Sequence, residues 1–424
     1  MTMIWRWWAY WSAWSGYAAA AFSLLYGGLG LYWWAGGDGF PFAPIDPGHA
    51  SGSILEGSRV EIVAPIIAAV GLLGAVIALV MTRRARPGRL SVGLVVFGWA
   101  MAGGLILIIP DYTLIVLVAF APLLLVFAFT GVPGDQGGVG DILYWHRTNL
   151  IIIFVGGLLW AAATLAYRRR VRAACAHCGR RHGADDGPSR QTLLRWGRWA
   201  VVVACLAPLP YEVTRIAWAL GFPLGITPDF LRMMQDTPGM LAVGLGCAVA
   251  SAAGGVLTHG LVGRWGEVYP RWIWFKAGKG VPPALAVVPA SIVSVTIIPA
   301  GLMFLWTPEA RGTWALHLPS LFWIAWGVGL GVATVAYHLR RRGACRRCGR
   351  GHVSDDRRDA LRLRQLSGDR ERDRSGVGTR DGSQGNLHRD DGVPGRRVVA
   401  DAVREGERGP RDIDDLCVPG SGLA

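Results

Sequence analysis

Charge is scarce in this chain. Of 424 residues only 17% are Asp, Glu, Lys or Arg, while 52% are apolar. That balance overrides the two or three domains that length alone would allow, because several apolar runs reach the ~20 residues needed to cross a bilayer. Lysine is nearly missing: Lys276 and Lys279 are the only two among 43 basic residues. With abundant Gly, Ala and Val, this points to a very GC-rich coding genome and an actinobacterial source. Cysteine is sparse as well, with seven in all. Cys205 and Cys247 fall inside apolar spans and Cys417 in the C-terminal tail, so only two C-x-x-C pairs remain. If those pairs face a reducing cytosol, a structural disulfide framework is excluded.

Other absences narrow the function. No secretory cleavage signal is evident; Trp5, Trp7, Trp8, Trp11 and Trp14 around Arg6 read as an interfacial collar before the first span. No nucleophile elbow, P-loop, HExxH or dinucleotide fingerprint is present, so no catalytic and no cofactor-binding residue is assigned and no enzyme is expected. The formal net charge of +14 invites a nucleic-acid reading. Its basic loops lack interleaved aromatics or a groove-sized helix, and they crowd helix ends as the positive-inside rule expects. The expected partner is the lipid bilayer, with a protein partner and the oligomeric state left open.

What the chain does have is a thirteen-residue pattern that occurs twice. Ala174-Cys175-Ala176-His177-Cys178-Gly179-Arg180-Arg181-His182-Gly183-Ala184-Asp185-Asp186 returns 170 residues later as Ala344 to Asp356, both reading A-C-x-x-C-G-R-x-H-x-x-D-D. Upstream, Thr164-Leu165-Ala166-Tyr167 aligns with Thr334-Val335-Ala336-Tyr337. Tyr26 stands seven residues before Trp33, as Tyr211 does before Trp218, and Gly36 and Gly221 follow at equal distance. Repeat 1 therefore spans 1–186, repeat 2 spans 187–356, and a tail covers 357–424. Both knuckles end on one side, which makes the repeats parallel about an axis along the membrane normal.

The fold class expected is an all-α polytopic transmembrane bundle of about nine apolar helices, at 17–36, 62–82, 90–109, 112–130, 149–167, 197–220, 239–262, 283–306 and 319–338. The second half closes cleanly under the charge rule, with both knuckles and the tail cytoplasmic. In the first half three apolar segments lie between the Arg83–Arg89 and Arg168 clusters, where an even number of crossings is required. One segment within 90–130 is expected to be re-entrant or interfacial. From Val353 onward composition shifts to Arg, Asp, Gly and Ser, with 14 arginines against 15 acidic residues. Such a tail cannot bury enough surface to fold alone.

C-x-x-C followed by glycine has the shape of a zinc knuckle. A structural zinc takes four ligands in tetrahedral geometry. Either Cys175, Cys178, Cys345 and Cys348 share one four-thiolate site, or each knuckle holds its own metal with His182 or His352 and a carboxylate such as Asp185 or Asp355. Thiolates suit zinc better than the mixed set, which favours the shared site. Thiol–disulfide exchange competes as a reading, but no thioredoxin-like context surrounds the pairs. The bland alternative is a duplicated basic turn without function.

Within the spans, Glu212 and Arg215 lie three apart, on one helix face, and are expected to form an intramembrane charge pair. Gly246, Ala250 and Gly254 are spaced for close helix packing. His146, His259 and His317 sit near helix ends. In its Tyr and Trp spacing, its Trp265–Trp272 loop and its knuckles, the chain resembles multi-spanning membrane proteins common in actinobacteria. The resemblance covers about residues 1–352 and implies location and architecture without an activity. Two function classes follow: a non-enzymatic membrane module clamped at its knuckles, or a secondary transporter with Pro289 and Pro299 breaking a span near Ser291, Ser294 and Thr296.

Overall fold

The computed structural model describes residues 10–44, 52–119, 144–181, 188–271, 273–307, 313–345 and 347–349. Two units are distinguished, Met1–Arg342 and Gly343–Ala424. The described residues are mostly helical, and the only β pairing among them is an isolated bridge between Val268 and Gly280. In chain order the helices are α1 (Trp11–Trp34), α2 (Val60–Arg83), α3 (Arg89–Gly103) and α4 (Trp145–Val171). They continue as α5 (Arg190–Leu206), α6 (Leu209–Ala219), α7 (Pro228–Asp236), α8 (Met240–His259), α9 (Pro283–Leu302) and α10 (Trp314–Arg341).

Seven helical segments are long and apolar enough to cross a membrane: Val60–Arg83, Arg89–Ile108, Trp145–Val171, Arg190–Ala219, Met240–His259, Pro283–Leu305 and Trp314–Arg341. The expected nine are thus seven among the described residues. The segment expected at 17–36 does form a helix, α1, but its serines, glycines, tyrosines and tryptophans leave it below the mean hydropathy of the others. The segment expected at 112–130 is helical over 113–119; its remainder lies outside the described residues. The expectation that the prolines break the span at 283–306 is corrected, because α9 runs unbroken through Pro289 and Pro299.

Small residues set the helix packing. α1 and α2 run antiparallel with backbones in contact: a Cβ on Gly71 would sit 2.7 Å from the backbone nitrogen of Gly27, and one on Gly30 would sit 2.6 Å from that of Ala68. No residue larger than glycine fits such an approach. In the first half Trp160 is fully buried and donates to Ser23 Oγ at 3.0 Å. The second half centres on Tyr337, Leu330, Val201 and Leu261. The stripe Gly246, Ala250 and Gly254 does not do what its spacing suggests. Gly246 and Ala250 are exposed and nothing lies against either glycine, while Ala248, Ser251 and Thr258 form the buried side of α8.

Bonds between sequence-distant loops show which helix ends gather together. Trp145 Nε1 donates to the Gly39 carbonyl at 2.8 Å, and His146 Nδ1 lies 2.5 Å from the Pro41 carbonyl. The fully buried Asp111 accepts from Gly52 N at 3.1 Å and from Thr113 N at 2.8 Å, while Ser53 Oγ donates to Ile109 O. The exits of α1 and α3 and the entries of α2 and α4 therefore share one end of the bundle. Asp111 and Tyr144 are therefore at the same end of the described helices, and residues 120–143 between them lie outside the described residues. Arg89–Ile108 is long and apolar enough to cross, and the expectation that one segment within 90–130 fails to cross falls partly on residues outside the described ones. Trp306 Nε1 adds the second half to the same end through the Gly52 carbonyl at 2.9 Å.

Several local structures recur between the halves. Gly36 and Gly221 take φ of +91° and +86°, and each closes its helix with the same pair of backbone bonds. Gly36 N and Gly37 N reach Trp33 O and Tyr32 O; Gly221 N and Phe222 N reach Trp218 O and Ala217 O. Left-handed glycine at this position relieves the orphan carbonyls of a helix C-terminus. Thr164 and Thr334 are both buried and bond back to the carbonyls of Trp160 and Leu330. Arg170 donates to the Met81 and Thr82 carbonyls at the end of α2, and Arg340 donates to the Leu261 carbonyl just past α8.

Candidate metal centre

The first knuckle begins where α4 stops. Ala173 adopts φ +47°, the one left-handed residue other than glycine among the described residues, and Ala174 N reaches back to Arg169 O. The chain then turns tightly: Gly179 N donates to Cys175 O at 2.8 Å, Cys175 N donates to Arg180 O at 3.0 Å, and Gly179 takes φ +74°. The second knuckle repeats the turn, with Gly349 N to Cys345 O at 2.8 Å and Gly349 at φ +66°. That left-handed step explains why glycine follows each C-x-x-C pair.

The sulfurs of Cys175, Cys178, Cys345 and Cys348 all lie within 4.8 Å of one another. Cys175 and Cys345 are buried, Cys178 and Cys348 are half-buried, and none is in a disulfide. In a tetrahedral zinc thiolate with bonds of ~2.3 Å, sulfurs stand about 3.8 Å apart. The four cysteines are therefore close enough to hold one metal ion, and four thiolates are a donor set that suits zinc. The proposed extra ligands His182 and His352, with Asp185 and Asp355, lie outside the described residues.

Arginines that the sequence did not single out brace the first knuckle. Arg169 Nη1 donates to the Ala176 carbonyl at 2.7 Å and to that of His177 at 3.3 Å, while its guanidinium lies 5.2 Å from the centre of the Trp11 ring. Because a trans peptide is planar, fixing the Ala176 carbonyl aims the His177 N–H the opposite way. Arg342, just past α10, donates from Nη1 to the Cys178 carbonyl at 3.2 Å and accepts from Arg180 Nη2 on its own carbonyl at 3.4 Å. Burial and the neighbouring Arg180 charge pull the Arg342 guanidinium below its ordinary pKa range, and the Cys178 thiol opposes them. The only signal of these roles in the sequence was the density of arginine at the helix ends.

The second expected feature is not assembled. Glu212 and Arg215 do not pair: Glu212 is buried and its Oε1 accepts from Ser251 Oγ at 2.7 Å. Arg215 lies over aromatic rings, 4.5 Å from the centre of Tyr211 and 4.1 Å from that of Trp218. Helical spacing put both on one side of α6, but their chains turn to different neighbours. The salt bridges among the described residues are Arg232–Asp229 and Arg340–Glu267. Of the isolated histidines, His146 meets the Pro41 carbonyl, His259 Nδ1 lies 3.6 Å from Cys205 Sγ, and His317 packs edge-on to Phe304.

No protein-family model, curated protein or solved structure matches this chain.

Proposed function

We propose that this chain is a non-enzymatic membrane module, made of two parallel repeats (1–186 and 187–356) that one structural zinc clamps at their knuckles. The observation that carries the reading is the approach of the four sulfurs within 4.8 Å. Cysteines 170 residues apart in sequence are brought to metal-binding distance, which a duplicated turn without function does not require. The matched helix caps at Gly36 and Gly221 and the matched arginine ties of Arg170 and Arg340 support the duplication.

The charge distribution supports a cell membrane protein with cytoplasmic knuckles. Arg83, Arg84, Arg86, Arg89, Arg168, Arg190, Arg264 and Arg341 flank the knuckle ends of the spans, whereas Asp38, Glu56, Asp111, Asp229 and Asp236 belong to the opposite connections. Positive residues concentrate on the cytoplasmic side of short loops. Transport is less well supported, since two of the three hydroxyls near the α9 prolines, Ser294 and Thr296, are already satisfied. Ser294 Oγ donates to the Gly327 carbonyl at 2.7 Å and Thr296 Oγ1 to that of Ile292 at 2.9 Å.

Metal analysis of the purified full chain tests the reading. A shared site gives about one zinc per chain, lost entirely in either Cys175→Ser or Cys345→Ser, because neither knuckle alone supplies four sulfurs. About two zincs per chain, with each substitution removing one, would replace the clamp by separate sites. Metal-free protein with four freely titrating thiols would remove zinc from the account.

A further inference from the structure

The repeated residues build the scaffold, so residues present in one half alone mark where the halves differ in chemistry. Positions Glu212 and Arg215 align with Gly27 and Gly30, and Trp323 and His317 align at the 170-residue offset with Ile153 and Arg147. In the second half Arg215, Trp323 and His317 come together around one group of rings, while Glu212 turns to Ser251. Tyr211 meets Trp323 edge-on at 5.3 Å, Trp323 meets Phe304 at 6.2 Å, and Phe304 meets His317 at 5.3 Å. The Arg215 guanidinium closes the chain over Tyr211 and Trp218.

Three nitrogens of this group are buried and have no hydrogen-bond partner among the described residues: Arg215 Nη1, Trp323 Nε1 and His317 Nδ1. Leaving a buried donor unmet is costly, and most of all for a charged one. Among the described residues no carboxylate lies within salt-bridge distance of Arg215, since Glu212 is turned to Ser251. A guanidinium in an apolar span, stacked on two rings and lacking a counter-charge, presents the geometry for binding an oxyanion through parallel N–H groups.

We infer that Arg215, assisted by the indole N–H of Trp323, forms an anion site of the second half that takes a phosphate group. Depth selects phosphate. Arg215 is about one turn from the end of α6, whose glycine cap at Gly221 leads to the bundle end opposite the knuckles, and phosphates are the abundant oxyanions at headgroup level. The Tyr211 and Trp218 rings hold the guanidinium in place, and Val213 and Ile216 beside it on α6 are exposed, so the site lies close under the surface of the bundle. The phosphate can belong to a lipid headgroup or arrive free from the aqueous side. The site stands independently of the zinc clamp and needs only that Arg190–Ala219 crosses the membrane.

The test uses the full chain in phosphatidylcholine nanodiscs doped with phosphatidylglycerol, with retained lipid counted by native mass spectrometry after release from the disc. The chain is expected to hold one phosphatidylglycerol in preference to phosphatidylcholine. Arg215→Gln should weaken that retention at least about tenfold, as expected for losing a hydrogen bond to a charged group. Trp323→Phe keeps the ring packing and should weaken it about fivefold, which keeps the proposal testable if the arginine variant does not fold. Arg232→Gln, on the exposed α7, should leave retention unchanged. Inorganic phosphate in the millimolar range separates the sources: displacement of the lipid identifies a site open to free phosphate, and persistence identifies a headgroup site. Retention equal in the parent, Arg215→Gln and Trp323→Phe overturns the inference, as does the absence of any saturable phosphatidylglycerol or phosphate binding by the parent chain.

Discussion

Arg342 donates to the backbone carbonyl of Cys178 across 164 residues of sequence, at 3.2 Å. The residue just past α10 is thus bonded to the turn that presents two of the four sulfurs. Cys345 follows only three residues later, and three extended residues span at most about 11 Å. The tie shortens the search for the second pair of cysteines and supports the first pair from outside the metal. Outer groups of this kind hold ligands in position and typically contribute 10–100-fold in metal affinity. Arg342→Ala should therefore retain zinc at full occupancy but lower its affinity about tenfold, the lower end of that range. Competition with a chromophoric chelator reads the change directly, and an unaltered affinity would show the arginine to be a spectator.

Two tyrosines at matched positions should respond differently. Tyr337 Oη donates to the Gly266 carbonyl at 2.6 Å within a fully buried site. Tyr167 has no hydrogen bond from its hydroxyl among the described residues. Tyr337→Phe should cost about 1–2 kcal/mol, because it strips a buried acceptor of its donor. Tyr167→Phe should stay within about 0.5 kcal/mol, the usual range for a change that removes no such bond. Thermal unfolding of both variants in one detergent orders them, and equal shifts would contradict the assignment.

Gly71→Val inserts a branched side chain where α1 and α2 touch through their backbones. The helices must separate, and the variant should lose several kcal/mol, as overpacked or strained interfaces do. Gly246→Val is the matched control, because nothing lies within 4 Å of a Cβ at that glycine. The pair should differ sharply in thermal midpoint; similar midpoints would mean that the close approach is not maintained in the membrane.

Orientation is accessible to impermeant thiol reagents in intact cells. In a chain whose other cysteines are replaced, Asp38→Cys and Asp229→Cys should label from outside, and Cys175 should label only after permeabilisation. The expectation follows from the excess of arginine at the knuckle end. Labelling of Cys175 in intact cells would invert the whole arrangement.

How much of this was legible in the sequence depends on what each feature requires. The knuckles and the caps were readable because backbone geometry demands glycine at Gly179, Gly349, Gly36 and Gly221, all of which take positive φ. Apolar spans were readable by length, yet hydropathy alone left an odd number of apolar segments between two arginine clusters of the first half. The loop bonds made by Asp111 and His146 show which helix ends lie together, and composition does not express them. The Glu212–Arg215 pair failed for a related reason. Spacing defines a shared helix face, but long side chains choose among neighbours that only packing supplies, here Ser251 for one and two rings for the other. The stripe at Gly246 and Ala250 shows the converse: a face able to pack closely tells nothing of whether another helix is there.

The glycine seam between α1 and α2 bears on where this bundle can change shape. Two backbones in contact have no rotamers between them to exchange, so the pair moves as one stiff plank or not at all. The facing pair in the second half, α6 and α8, meets through the Glu212–Ser251 bond and the side chain of Arg215 beside Gly244. Here side chains rather than backbones set the separation of the helices. A change of membrane thickness would therefore meet side-chain contacts, which have other rotamers, at α6 and α8, and a backbone seam, which has none, at α1 and α2.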